Sequence, residues 1–194
     1  MISDLYVHSA SSALALRVGV LLDDTVLMRV FADILRDIHR SDFARLELVI
    51  FNGPGSPAPP PKRTVPDQRW YPAKDDPVAP EDCTALLAGV PVLDVTPITT
   101  RFVHRVPEGA PRAVRAAHLD VLLRFGFNIL RGEILTAARY GVWSFHHGDS
   151  DLYRGGPAHF WEMYEGNPFS GVVLLVLTEQ LNGGHVLAKA LFAT

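Results

Sequence analysis

Two adjacent imidazoles, two carboxylates and three hydroxyls crowd residues 141–156, GVWSFHHGDSDLYRGG. The apolar run Val142-Trp143-Ser144-Phe145 delivers His146 and His147, and Asp149 and Asp151 follow in the next loop. A neutral imidazole can relay a proton near neutral pH, because its unperturbed pKa lies there. Ionisable groups at the carboxyl end of a buried strand mark the place where open α/β sheets carry their chemistry. Two other readings compete. A strand-end histidine is often only a satisfied structural group. Alternatively, His146, His147, Asp149, Asp151 and His159 could supply nitrogen and oxygen ligands for a metal-dependent hydrolase. Adjacent histidines on a strand point to opposite faces, which weakens the metal reading.

The 194 residues bound the setting of this chemistry. Hydrophobic residues make up 48% and charged ones 20%, an ordinary balance for a globular α/β chain. The formal charge of −3 argues against a general nucleic-acid binder, which needs a basic face. The single cysteine, Cys83, cannot build a disulfide framework and reads as a buried thiol. No apolar run reaches the roughly 18 residues of a membrane span, and the start lacks the basic region of a signal peptide. The expectation is one cytoplasmic domain over residues 1–194, without membrane or nucleic-acid partners.

Several elements must position the polar stretch. Residues 17–22 form a buried strand, Asp23-Asp24-Thr25 offers helix-capping side chains, and a helix follows from residue 26 with Leu27, Phe31, Ile34, Leu35 and Ile38 on one face. Residues 46–51 return as a strand, so the chain opens as βαβ and a parallel sheet is expected. The first turn lacks a Gly-x-Gly-x-x-Gly fingerprint and is acidic, which excludes nucleotide phosphate there. Nine of the 15 prolines fall between residues 52 and 82. So dense a set continues neither helix nor ladder. This excursion is a plain connection, or a lid centred on Trp70 and Tyr71. Later strands are read at 90–95, 101–106 (an edge), 119–125, 141–145 and 171–177. Helices are read at 111–118, from 131, and at 157–164, where Phe160, Trp161 and Tyr164 are expected in the core. The chain ends soon after a turn at 181–184, consistent with a missing C-terminal extension.

From residue 119 the landmarks fall into a recognisable order. Residues 122–135 read LLRFGFNILRGEIL and residues 140–146 read YGVWSFH. Tyr153-Arg154-Gly155, Phe160-Trp161, SGVV at 170–173 and EQLNGG at 179–184 complete the series. Over roughly 119–190 this resembles the 10-formyltetrahydrofolate-dependent formyltransferases, the group that includes glycinamide ribonucleotide, methionyl-tRNA and sugar N-formyltransferases. The resemblance implies an open, mostly parallel Rossmann-like sheet with helices on both faces. It also implies 10-formyltetrahydrofolate as formyl donor and a small-molecule amine as acceptor, with no metal; a homo-oligomer is compatible with it.

Residue by residue, His146 falls on the histidine of that family's catalytic triad. Ser144 stands at its Asn, which donates to the developing oxyanion, and Asn182 stands at its Asp. His147-Gly148 replaces Pro-Ser, and Asp149 and Asp151 replace apolar residues. Either Asp149 restores a carboxylate beside His146, or the fold persists as a binding or regulatory module without transfer. The folate slot maps to Leu123, Phe127, Ile129 and Leu130, each of which also reads as an ordinary core residue.

Overall fold

A computed structural model describes residues 12–53, 76–153, 157, 159–181 and 183–194. Its strands are β1 (Leu16–Leu22), β2 (Val26–Met28), β3 (Ala44–Asn52), β4 (Pro80–Asp82), β5 (Val92–Val95), β6 (Ile98–Thr100), β7 (Val103–Arg105), β8 (Val121–Arg124), β9 (Ile129–Arg131), β10 (Val142–His147), β11 (Phe169–Val176) and β12 (His185–Ala193). The helices are α1 (Arg29–Arg40), α2 (Thr84–Leu87), α3 (Gly109–Ala116) and α4 (Phe160–Tyr164), with a 3-10 turn at Glu133–Thr136.

Seven strands form the main sheet in the order β12-β11-β10-β8-β1-β3-β5. β5, β3, β1, β8 and β10 run parallel, while β11 and β12 add on antiparallel beyond β10. The central parallel strands β1 and β8 are apolar on both faces, as a sheet covered on both sides requires. Alternation sends Leu21, Leu122 and Val142 into a core shared with α3 and the 3-10 turn. The same alternation sends Val20, Leu22, Val121 and Leu123 into a second core under α1 and α2. Leu21, Leu22 and Leu122 are fully buried, each contributing about 1.5–3 kcal/mol of apolar transfer. The expected mostly parallel sheet, with helices packed on both faces, is therefore present.

Local departures have local causes. Asp24 Oδ1 accepts from the Thr25 and Val26 amides (2.6 and 3.3 Å). It thereby caps a turn into β2 rather than the helix, which starts at Arg29 with no side-chain cap. β2 pairs with β4, so the proline-rich excursion returns as an antiparallel strand; Trp70 and Tyr71 lie outside the described residues. The expected edge strand at 101–106 belongs instead to a separate small sheet, β6-β7-β9. Cys83 is fully buried, and burial pushes its thiol up, which disfavours the reactive thiolate. Among the described residues no helix is long and apolar enough to cross a membrane.

Candidate active site

The carboxyl ends of β8 and β10 meet in register, Arg124 beside Ser144. Strand alternation puts Ser144 and His146 on the same face, and with Arg124 they line one cleft. Ile129, Leu130 and Arg131 of β9 wall it on one side. Leu175, Leu177 and the turn after β11, including Gln180 and Gly184, wall it on the other. Its volume is about 170 Å³.

The turn after β8 links two residues that line the cleft, Arg124 and Ile129. The amides of Phe125 and Gly126 both donate to the Leu21 carbonyl of β1 (3.1 and 2.8 Å). Phe127 then takes the left-handed conformation at φ 64°, a cost of order 1 kcal/mol or more that the surroundings must offset. Asp23 supplies part of that compensation: its Oδ1 accepts from the Phe127 amide and from Asn52 Nδ2, both at 2.8 Å. The turn is thereby held so that the Phe127 carbonyl accepts from Arg124 Nη1 (3.1 Å). Behind it, the buried His104 ring meets Asn128, with Nδ1 accepting the Asn128 amide at 3.3 Å. Burial pushes this imidazole below its usual range, and Asp23 partly opposes the shift.

Arg124 Nε donates to Ser144 Oγ (3.2 Å), and Ser144 Oγ donates to the Phe145 carbonyl (3.3 Å). Among the described residues no carboxylate lies within ion-pair distance of Arg124. Burial pushes its guanidinium below the usual value, with Asp23 pulling it back. His146 Nε2 is buried and has no hydrogen-bond partner, which leaves the ring a free valence beside the cleft.

The remaining ionisable groups lie elsewhere. His147 faces away from Ser144 and meets His159 edge-on, ring centroids 5.7 Å apart. Part of its ring is accessible, yet the imidazole is pushed below its usual range, by loss of solvent first and by His159 and His146 second. Ser170 Oγ donates to Glu162 Oε1 (3.3 Å) and so is left to accept from His159 Nδ1 (2.5 Å). This inverts α4. Glu162 is 1% exposed, while Phe160, Trp161 and Tyr164 are 42%, 42% and 74% exposed and pack on one another outside. The expectation that these aromatics are core residues is corrected by the partners Ser170 and His159 provide for a buried carboxylate. Among the described residues no three His, Cys, Asp or Glu side chains converge as a metal site.

Asp149 makes no hydrogen bond or ion pair with His146 Nε2, which has no partner. Gly148, at φ 101°, a conformation glycine adopts readily, turns the chain toward β12, where Lys189 Nζ reaches Asp149 Oδ1 (2.6 Å) and Asp151 Oδ2 (2.8 Å). The hydrogen bond from Lys189 holds the Asp149 carboxyl below its ordinary value, helped by the Asp151 amide and opposed by burial. A depressed folded-state pKa contributes stability that is complete above the unfolded value and lost as pH falls through the folded one. The contribution of this clamp therefore fades below about pH 4. Asp149→Asn is expected to lower the melting temperature at pH 7 and to shrink the gap between protein and variant at pH 3. A gap of the same size at both pH values would refute the ion-pair account.

Of the residues expected to form a folate slot, Ile129 and Leu130 line the cleft; Leu123 and Phe127 do not. Leu123 is turned to the opposite core by alternation with Arg124. Asn182 lies outside the described residues, as do Arg154 and Gly155. Arg124 was not singled out from the sequence. The available signal is a charge following directly on the buried residues Val121-Leu122-Leu123.

Comparison with known proteins bears on the fold. No protein-family model matches the chain. Glycinamide ribonucleotide transformylase 1 from Symbiobacterium toebii superposes with a TM-score of 0.62 at 16% identity, covering 95% of this chain and 79% of that one. The chain has the formyltransferase fold. Within that fold, a formyltetrahydrofolate deformylase from Pseudomonas syringae pv. tomato str. DC3000 gives a TM-score of 0.63 at 16% identity, covering 94% of this chain and 53% of that one. A curated methionyl-tRNA formyltransferase from Bifidobacterium longum (strain DJO10A) is 27% identical over 113 residues, 57% of this chain. The chain matches only about a third (32%) of that relative's length. In this formyltransferase fold the cleft sits at the carboxyl ends of the parallel strands, where ligands bind in open α/β sheets.

Proposed function

We propose that the cleft transfers a formyl group from 10-formyltetrahydrofolate to the amine of a small biosynthetic substrate. The observation that carries this reading is the placement of His146 and Ser144 together at the carboxyl end of β10, facing one cleft. The donor is consumed as a substrate and supplies a formyl carbon attached to nitrogen. At about 170 Å³ the cleft is smaller than the 300–1,000 Å³ common for a whole drug-sized ligand. It suits the reacting end of the donor, with Ile129 and Leu130 as an apolar wall and the remainder of the donor outside. His146 takes the proton that the attacking amine must lose, a role that suits an imidazole with one ring nitrogen unpartnered.

The test is a two-arm assay of donor consumption by the purified protein, with and without a panel of small amines that includes amino sugars. Formylated amine appearing in step with donor loss is the expected result. Donor loss without an amine would place the chain with hydrolysis, the reaction named for the deformylase neighbour. No turnover, together with no saturable folate binding by titration calorimetry, would overturn the reading and leave a binding or regulatory module.

A further inference from the structure

Formyl transfer puts negative charge on one oxygen, and Ser144 is poorly disposed to receive it. When the amine lone pair forms the new C–N bond, the carbonyl π pair moves to oxygen. That pair returns as the bond from carbon to the donor nitrogen breaks, and His146 delivers the amine's proton to the leaving nitrogen. A preorganised donor aimed at that oxygen is commonly the largest single contribution to such a step. The hydroxyl of Ser144 is committed on both sides, donating to the Phe145 carbonyl and accepting from Arg124 Nε.

Arg124 has what Ser144 lacks. It lines the same cleft, in register with Ser144 across the β8–β10 pair. Its Nε and Nη1 are fixed by Ser144 Oγ and by the carbonyls of Phe127 and Asn128 (3.2, 3.1 and 3.5 Å). All three partners are neutral. Nη2 makes no hydrogen bond among the described residues, so one amino group of a rigidly held, planar fork remains to donate. A desolvated cation without a carboxylate partner gains most when an anion arrives.

We propose that Arg124 donates to the negative oxygen of the reacting formyl group, with Ser144 as the residue that positions its guanidinium. This rests on the formyl-transfer reading for its chemistry, but the anion site can be tested without turnover. The probe is carbon-13-labelled sodium formate, a one-carbon anion of the same shape, followed by line broadening on titration of the purified protein.

Saturable formate binding is expected for the protein and for His146→Ala, and is expected to be lost in Arg124→Gln. Arg124→Lys retains the charge and reports on folding, and is expected to bind formate more weakly than the parent. In the transfer assay Arg124→Gln is expected to lose about 10²–10³ in kcat, the usual cost of one oxyanion donor. Ser144→Ala is expected to lower kcat with the amine KM unchanged, which a merely structural role would not produce. Formate binding lost in Arg124→Gln while the parent shows no formyl transfer would uphold the anion site and sink the transferase reading. Formate binding unchanged in Arg124→Gln, absent from the parent, or lost equally in His146→Ala would overturn the assignment, as would parental kcat in Arg124→Gln.

Discussion

Replacing His146 by alanine is expected to cut formyl transfer by about 10²–10⁴, the range that a positioned general acid–base group contributes. The effect should fall on kcat, because the imidazole moves a proton and the cleft walls do the binding. Ile129, Leu130, Leu175 and Leu177 are untouched by the substitution, so donor affinity by calorimetry should stay near the parental value. The fold should tolerate the change as well, since His146 Nε2 has no partner to lose. Transfer at the parental rate in the variant would remove His146 from the chemistry. A collapse of the melting temperature would instead make it a structural histidine.

Gly126→Ala is expected to be the most damaging small change near the cleft. A Cβ at this position would lie 2.4 Å from the Asp23 amide nitrogen and 2.7 Å from the Leu22 carbonyl carbon. Both are backbone atoms at the end of the central strand β1, so neither can swing aside as a side chain could. Overpacking of a tight site costs about 1–3 kcal/mol, occasionally more. Here the strain also lands on the turn that holds Phe127 in its left-handed conformation and carries the carbonyl that fixes Arg124. The expected result is a lower melting temperature together with weakened formate binding. Unaltered stability would show that the β1–β8 junction can open, contrary to the packing described.

The central strands β1 and β8 and the later half of β3 were legible in the sequence because each is a short apolar run, the pattern of a strand buried on both faces. The order of landmarks after residue 119 carried the fold and placed His146 and Ser144 on the right strand. Four features were not legible, for physical reasons. The three-residue strands β2, β4, β6 and β9 are too short to show a period, and pairing alone defines them. The inversion of α4 depends on Ser170 and His159 partnering a carboxylate, which hydrophobic periodicity around Glu162 cannot express. Asp149 looked like a partner for His146 because it is near in sequence; Lys189, on the edge strand, claims it instead. Arg124 was hidden by the same limit, since its meaning comes from carbonyls three and four residues on, presented by a left-handed turn.

The Lys189 clamp has a dynamic corollary. Among the described residues β12 is hydrogen-bonded to the sheet on one side only, and all nine of its residues are exposed. Opening free energies within a protein run from near zero at weakly packed margins to the global value in the core. As an edge strand, β12 lies nearer that margin than β1, β8 and β10, which have neighbours on both sides. The loop that leaves His147 is fastened through Asp149 and Asp151 to this edge. Its rigidity thus depends on an edge strand: detaching β12 would release the loop while His146 and Arg124 stayed anchored in the parallel core.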